Sequence, residues 1–388
     1  MKKIVFKSAL FLLLVSVVIS CKQEEKVPKD SFTVSGTIEG LDIDFMSSGY
    51  RNEEGKRVYD SIFVKDNHFS YTRKISKPEF VVIWPRVEGT VKRTKGGGYY
   101  PVKSSQFAFI AEPGAHIKFE GDVSDFINAY PTGTPTNIDL AKINRSVFPL
   151  MNKSVNILLR QEGMEKGSSL YKAMTDSIKV LDEEVIALKK KFVTANTSSK
   201  AAVWYLSDMM LRSQVSDEEA IKSFKAIDVS LNEYSFYKEV AARVKGIEST
   251  LIGKTIPNFT TNRTLDGKEF TFNSLIGKYV LIDFWGTWCG PCVAEMPTVK
   301  EYQDKYKDKL VVLGINSGES KDKIEKFITP KEYDWQQLIS GDDSENFVLN
   351  FNVQGFPTKF IIDPEGKILH RFVGNGEESF KVLDELLK

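Results

Sequence analysis

The sequence predicts a three-part protein with an α/β C-terminal domain: an antiparallel β domain over residues 31–130, a helical region over 131–250, and alternating strands and helices over 251–388. Three observations carry that reading. Apolar residues alternate with period two between turn signals in the first part. They recur at helical spacing in the second, where no proline falls between Pro149 and Pro257. After Gly253, short apolar runs of strand length alternate with helical patterns. At roughly 150 residues per domain, 388 residues also fit two to three folding units. A composition that is 41% hydrophobic and 27% charged is that of a globular chain. The formal charge of +1, from 53 basic and 52 acidic side chains, supplies no field for a polyanion, which argues against nucleic acid as the main partner.

The N-terminus comes first in chain order. Lys2, Lys3 and Lys7 flank or begin an apolar run from Ile4 to Ile19 that holds no acid, the pattern of an export signal over residues 1–20. The run is shorter than the roughly 20 residues that span a bilayer as a helix, so a permanent transmembrane segment is the weaker reading. The junction Val18-Ile19-Ser20-Cys21 resembles a bacterial lipobox, which implies lipid on Cys21 and a membrane anchor; an ordinary cleavage site with an incidental cysteine is the alternative. Residues 21–30 then form a charged tether. Loss of the first twenty residues removes three lysines and leaves a net charge of about −2.

In the β domain, Phe32, Val34 and Ile38 alternate around Gly36. Phe107 and Phe109 precede the turn Glu112-Pro113-Gly114, and Ile117 and Phe119 follow it. Residues 91–105, rich in glycine and lysine, read as a mobile exposed loop. In the helical region Leu181, Val185, Leu188 and Phe192 share one face, and Ser216 with Glu219 fits a capping box. Its aromatic run at Trp204 and Tyr205 reads as core rather than as a ligand groove. In the C-terminal domain, Tyr279 to Trp285 and Leu310 to Ile315 read as strands joined by a helix, a βαβ unit with parallel strands. A helix near Asp322–Ile328, strands at Lys359–Ile362 and Ile368–Phe372, and a last helix near Glu378–Leu387 complete it.

The chemistry concentrates in Leu281–Pro297. The chain has three cysteines, and if Cys21 carries lipid, the exported protein keeps one pair, Cys289 and Cys292, in C-x-x-C spacing. Cys289 opens a helix, where backbone N–H groups and the macrodipole favour a thiolate; Cys292 lies further inside the first turn and is expected to be shielded. The exposed cysteine should attack and the inner one resolve. Lowering a thiol pKa from about 8.5 to about 7 raises the thiolate fraction roughly sixteenfold, but the loss of basicity leaves a net gain of only about threefold. Leaving-group quality and the high effective concentration of Cys292 should therefore matter more. Asp283, on an otherwise apolar strand, should be desolvated with a raised pKa, and Glu295 lies one helical turn beyond Cys292. Either can accept the Cys292 proton. The bland alternatives are an exposed strand-end aspartate and a solvated helix glutamate.

These residues resemble a known family. WCGPC with Asp283 six residues ahead of Cys289, Pro297 five residues after Cys292, and FNVQGFPT at 351–358 resemble thioredoxin; the export signal, FWGTWC and Glu295 resemble the TlpA/ResA group of membrane-tethered thiol-disulfide oxidoreductases. The resemblance covers about residues 252–388. It implies a thioredoxin-like fold, a cis bond before Pro357, client contacts at Trp288, Gly290, Pro291, Phe356 and Pro357, and no cofactor or metal. Asp283 and Glu295 occupy the positions of thioredoxin's buried aspartate and of the ResA group's buried glutamate; having both departs from the ResA pattern. The segment ahead is similar to the uncharacterised extension of Bacteroidetes lipoproteins, which implies no activity and reads as a spacer or partner-selecting module.

Other readings are weaker. A structural disulfide at 289 and 292 would close so short a loop that it contributes only about 2 kcal/mol. A zinc site lacks a second C-x-x-C, and His68, His116 and His370 are widely spread. A Cys-His hydrolase would need His370 brought to the site. A thiol peroxidase would place a threonine three residues before its cysteine, where this chain has Gly286. A surface binding module with a secondary redox domain is the non-enzymatic alternative. The reading adopted is a lipid-anchored reductase of the cell envelope. Its partners are cysteine-containing envelope proteins, apocytochrome c among them by family analogy, and a membrane electron donor.

Overall fold

The structure is a computed structural model that describes residues 27–52, 56–341, 345–374 and 376–388. The predicted export signal and Cys21 lie outside the described residues.

The first part is a seven-stranded sheet of β1 (Ser31–Glu39), β2 (Phe45–Arg51), β3 (Arg57–Lys65), β4 (His68–Lys74), β5 (Glu79–Trp84), β8 (Phe107–Ala111) and β9 (His116–Asp122), in the order β8-β5-β2-β3-β4-β1-β9. Most neighbours are antiparallel, as expected. The β1–β9 pair is parallel. Phe32, Phe107, Phe109 and Phe119 are fully or almost fully buried and form the aromatic centre of this core. The β3–β4 turn places Asp66 and Asn67 at φ 51° and 64°, a left-handed region that these short polar residues tolerate.

The loop over 91–105 is more structured than its composition suggests. It carries the short pair β6 (Lys92–Arg93) and β7 (Tyr99–Tyr100), and its far end is pinned by Lys103, which is 5% exposed. The Lys103 ammonium donates to the Ala129 carbonyl at 2.7 Å, near the rings of Phe107, Phe126 and Tyr130, and burial lowers its pKa to about 7.

The helical part comprises α1 (Pro135–Gln161), α2 (Ser169–Ala195), α3 (Lys200–Leu211), α4 (Asp217–Ala226) and α5 (Ser235–Ser249). Thr134 caps α1, with Pro135 in its first turn. Pro149 lies inside α1. The buried face of Leu140, Ile143 and Val147 keeps the helix together through a residue that normally costs about 3 kcal/mol. The Ser216–Glu219 capping box is present. Asn137 closes the edge of the sheet: its side chain donates to the Ile110 carbonyl at 2.8 Å and accepts from the Ile110 N–H at 3.0 Å. Trp204 stacks on Phe80 of β5 with centroids 4.2 Å apart, so the aromatic run joins helices to sheet.

The C-terminal part begins with the short pair β10 (Thr260–Thr261) and β11 (Phe270–Thr271). It continues as β12 (Tyr279–Trp285), α6 (Gly290–Lys305), β13 (Leu310–Asn316), α7 (Lys321–Ile328), β14 (Gln336–Ile339), α8 (Phe347–Asn350), β15 (Thr358–Ile362), β16 (Ile368–Val373) and α9 (Glu377–Leu386). The sheet order is β14-β13-β12-β15-β16, with β12, β13 and β14 parallel and β15 and β16 antiparallel to their neighbours. Alternation along β12 sends Leu281, Asp283 and Trp285 to the α6 and α9 face, and Val280, Ile282 and Phe284 to the α8 face. This mixed sheet between helices is a thioredoxin-like fold.

Candidate functional site

β12 ends at Trp285, and four residues later Cys289 is the N-cap of α6. Cys289 and Cys292 are joined as a disulfide with Cα atoms 5.3 Å apart. The Cys292 N–H donates to Cys289 Sγ at 3.2 Å, so the helix end presents a donor to the sulfur, as the N-cap position predicts. The expected contrast in exposure is not present: Cys289 is 4% and Cys292 1% exposed. The N-cap geometry folds the Cys289 side chain back over the first turn instead of into solvent. Position still distinguishes the two. Cys289 lies between Trp288, 59% exposed, and the exposed Gly290 and Pro291, whereas Cys292 sits inside the turn against the core of α6.

The loop ahead of Cys289 is clamped to the end of β13. Glu319 accepts from the Thr287 N–H at 2.7 Å, the Thr287 hydroxyl at 2.6 Å and the Asn316 amide at 3.0 Å. Burial pushes the Glu319 carboxyl up, but these bonds and Lys323 outweigh it and hold it below the usual range. Trp288 donates from Nε1 to Ser317 Oγ at 3.2 Å and meets the Phe356 ring edge-on with centroids 5.2 Å apart. A Cβ on Gly286 would fall 2.6 Å from Trp288 Nε1, so this loop has no room for the threonine of the peroxidase reading. The Phe356–Pro357 bond is cis, and Pro357 is buried beside half-buried Phe356.

Beneath the cysteine helix lies a buried charge cluster. Asp283 is 1% exposed, which removes the exposed-aspartate alternative, and its register partner on β15 is Lys359, also 1% exposed. Lys359 Nζ stands 3.2 Å from Asp283 Oδ1 and 2.6 Å from Glu295 Oε2. Glu295 also accepts the Gly376 N–H at 2.7 Å, so it is a fixed, half-buried group rather than a solvated helix glutamate. Burial raises the Asp283 pKa against the pull of Lys359, while burial of Lys359 is outweighed by the two carboxylates, which raise its pKa. Sequence reasoning missed Lys359, Gly376 and Glu319. Lys359 had a signal, since it is the one charge in the apolar strand TKFII.

The three histidines read as weak metal candidates lie on separate strands, with His116 bonded to Ser35 and His370 stacked on Phe372. Among the described residues no cluster of three metal-ligating side chains occurs, and no helix is long and apolar enough to cross a membrane.

Residues 251–387 match the Redoxin family model. The chain is 36% identical over 128 residues to the thiol-disulfide oxidoreductase ResA of Bacillus cereus, an alignment covering 33% of this chain and 72% of that protein. The chain belongs to the ResA-type thiol-disulfide oxidoreductases. The ResA of Bacillus subtilis is 35% identical over 147 residues, 38% of this chain and 79% of that protein. Among solved structures, the thioredoxin domain of a thiol-disulfide oxidoreductase from Bacteroides vulgatus is 26% identical, with a TM-score of 0.33, and covers 36% of this chain and 99% of its own. Residues 32–140 match a domain of unknown function, DUF4369. This ResA-type protein is therefore a thiol-disulfide oxidoreductase whose redox part follows a β-sheet part matched by that uncharacterised model.

Proposed function

We propose that the chain reduces disulfides of envelope proteins through Cys289 and Cys292, with redox chemistry confined to 251–388 and residues 31–130 and 131–250 arranged around it. The Cys289 thiolate attacks a client disulfide, forming a mixed disulfide and releasing one client thiolate. Cys292, once deprotonated, attacks Cys289 Sγ; the intramolecular disulfide forms, the second client thiolate leaves, and two electrons have passed to the client. Asp283 or Glu295 takes the Cys292 proton and returns it to the departing sulfur. Trp288, Gly290 and Pro291 border the client on one side, and Phe356 with Pro357 on the other. An electron donor in the membrane would restore the dithiol. Lipid on Cys21 would hold the protein in the cell envelope, where apocytochrome c is one client class.

The observation that carries this reading is the disulfide at the N-cap of α6, the helix that also supplies Glu295 to a carboxylate–lysine–carboxylate cluster with Lys359 and Asp283. Replacing Cys292 with alanine should trap clients on Cys289 in cells, where diagonal gels would resolve them; an absence of mixed disulfides refutes the mechanism. A midpoint near that of thioredoxin, about −270 mV, supports a reductase, and one well above it an oxidant or isomerase.

A further inference from the structure

The link between β12 and the cysteine helix is short and does little to hold its own shape. Gly286, Thr287 and Trp288 separate the strand from Cys289, and the bond internal to this turn runs from the Cys289 N–H to the Gly286 carbonyl at 3.0 Å. The main grip comes from the loop that follows β13. The Ser317 N–H donates to the Trp285 carbonyl at 2.9 Å, Ser317 Oγ accepts from Trp288 Nε1, and Glu319 takes both donors of Thr287.

Glu319 is fitted to that task. Its side chain is 9% exposed, and four donors from separate segments converge on its two oxygens. Oε1 accepts from the Thr287 hydroxyl at 2.6 Å and from Lys323; Oε2 accepts from the Thr287 N–H at 2.7 Å and from Asn316 Nδ2 at 3.0 Å. An ionised carboxylate is acceptor-only, so it satisfies all four, and charge-assisted bonds of this kind are the strong ones. The far side of the clamp is fixed as well. Asn316, the last residue of β13, is fully buried, and its Oδ1 accepts the N–H groups of Gly318 at 3.2 Å and Glu319 at 2.9 Å. None of these bonds reaches a cysteine, so any influence of Glu319 on the sulfurs passes through Thr287.

Resting on the proposed reductase activity, we propose that Glu319 is a positioning residue for the sulfur chemistry: its grip on Thr287 keeps Cys289 at the α6 N-cap, where the Cys292 N–H meets its sulfur, and keeps Trp288 against Phe356 as one side of the client site. A misplaced reacting group costs rate out of proportion to the bond that held it. Glutamine at 319 has nearly the same shape but turns one oxygen into an N–H donor facing donors, so it opens the clamp without emptying the space.

The test compares four variants of the reduced full chain: Glu319→Gln, Thr287→Val, Thr287→Ser, and Glu319→Gln combined with Thr287→Val. Two rates are read: alkylation of Cys289 by iodoacetamide, located by mass mapping, and mixed-disulfide formation with a peptide disulfide. The small reagent needs no docking and reports the N-cap alone, so Glu319→Gln and Thr287→Val should slow it about threefold. The peptide also meets Trp288, and its second-order rate should fall about tenfold or more. Thr287→Ser keeps the hydroxyl and should react like the unaltered chain, and the double variant should be no slower than Glu319→Gln alone. Urea unfolding of each variant separates this from a structural role, in which stability falls while both rates hold; that result overturns the proposal. Additive losses in the double variant, or a loss in Thr287→Ser equal to that in Thr287→Val, overturn it too. Should Glu319→Gln not fold, the comparison of valine with serine at 287 decides. An unaltered chain that leaves the peptide disulfide intact overturns the reductase reading, and the alkylation series still decides the role of Glu319.

Discussion

Asp283 and Lys359 face each other across the β12–β15 ladder, and the Lys359 ammonium bridges from Asp283 at 3.2 Å to Glu295 at 2.6 Å. One buried cation thus serves two carboxylates, which leaves a surplus negative charge when both are ionised. The pKa directions follow from that count: Lys359 is held in its charged form, and Asp283, desolvated most, is the group inclined to take the extra proton. A proton store of this kind suits a dithiol that must lose and regain one proton per cycle.

Asp283→Asn should therefore change the pH dependence of stability. A carboxyl whose folded pKa is raised contributes stability that is fully present below its unfolded value, about 3.9, and is lost as pH rises through the folded pKa. The native chain should lose stability across that window at about 1.4 kcal/mol for each pH unit separating the two values, and the asparagine variant should not. Urea unfolding from acid to neutral pH checks this. Curves that stay parallel mean that Asp283 is not a strained carboxylate.

Lys359→Gln should be harsher, because it leaves two carboxylates in a site without their cation. Breaking a buried pair by removing one partner costs about 3–5 kcal/mol. The loss should be largest at neutral pH and shrink as acid protonates Asp283, whose pKa burial already raises. Thermal melts at several pH values would show it, and a pH-independent loss would point to packing alone.

That cluster also marks where the sequence was legible. Asp283 stood out as a carboxylate in an apolar strand, and Lys359 stood in an equally apolar strand, so the same rule finds both. Their pairing is a property of register between segments far apart in the chain, which local pattern does not encode. Glu295 was placed by helical spacing from Cys292, but its fixation by the Gly376 N–H comes from a backbone donor without a residue signature. β14, with the polar start Gln336-Gln337, lacks the apolar run that announces a strand, and pairs because β13 offers it an edge.

Gly376→Ala isolates the Glu295 arm of the cluster. A methyl group there would lie 2.4 Å from Glu295 Oε2, and the backbone φ of −83° is one that alanine adopts freely. The side-chain end must move rather than the backbone, so the carboxylate should leave Lys359 at a stability cost of only about 1 kcal/mol. The pH profile of mixed-disulfide resolution should shift as it does in Glu295→Gln, and the double variant should be no worse than Glu295→Gln alone. Additive effects would show that the two residues act separately.

Gly246→Ala tests how the helical part meets the redox part. Alanine is favoured over glycine in a helix interior by about 1 kcal/mol, so on propensity alone the variant should be more stable. At this position, however, a Cβ would sit 2.5 Å from the Asn350 carbonyl oxygen and 2.9 Å from that of Leu349, backbone atoms of α8 that cannot swing aside. Overpacking of this kind costs about 1–3 kcal/mol, which exceeds the propensity gain. The expected net effect is destabilisation, together with a slower reaction at Cys289, because α8 leads directly into the segment that ends at Pro357. Urea unfolding and peptide-disulfide kinetics read the two effects separately. A variant stabilised by the propensity increment would mean that α5 and α8 stand further apart than this packing requires.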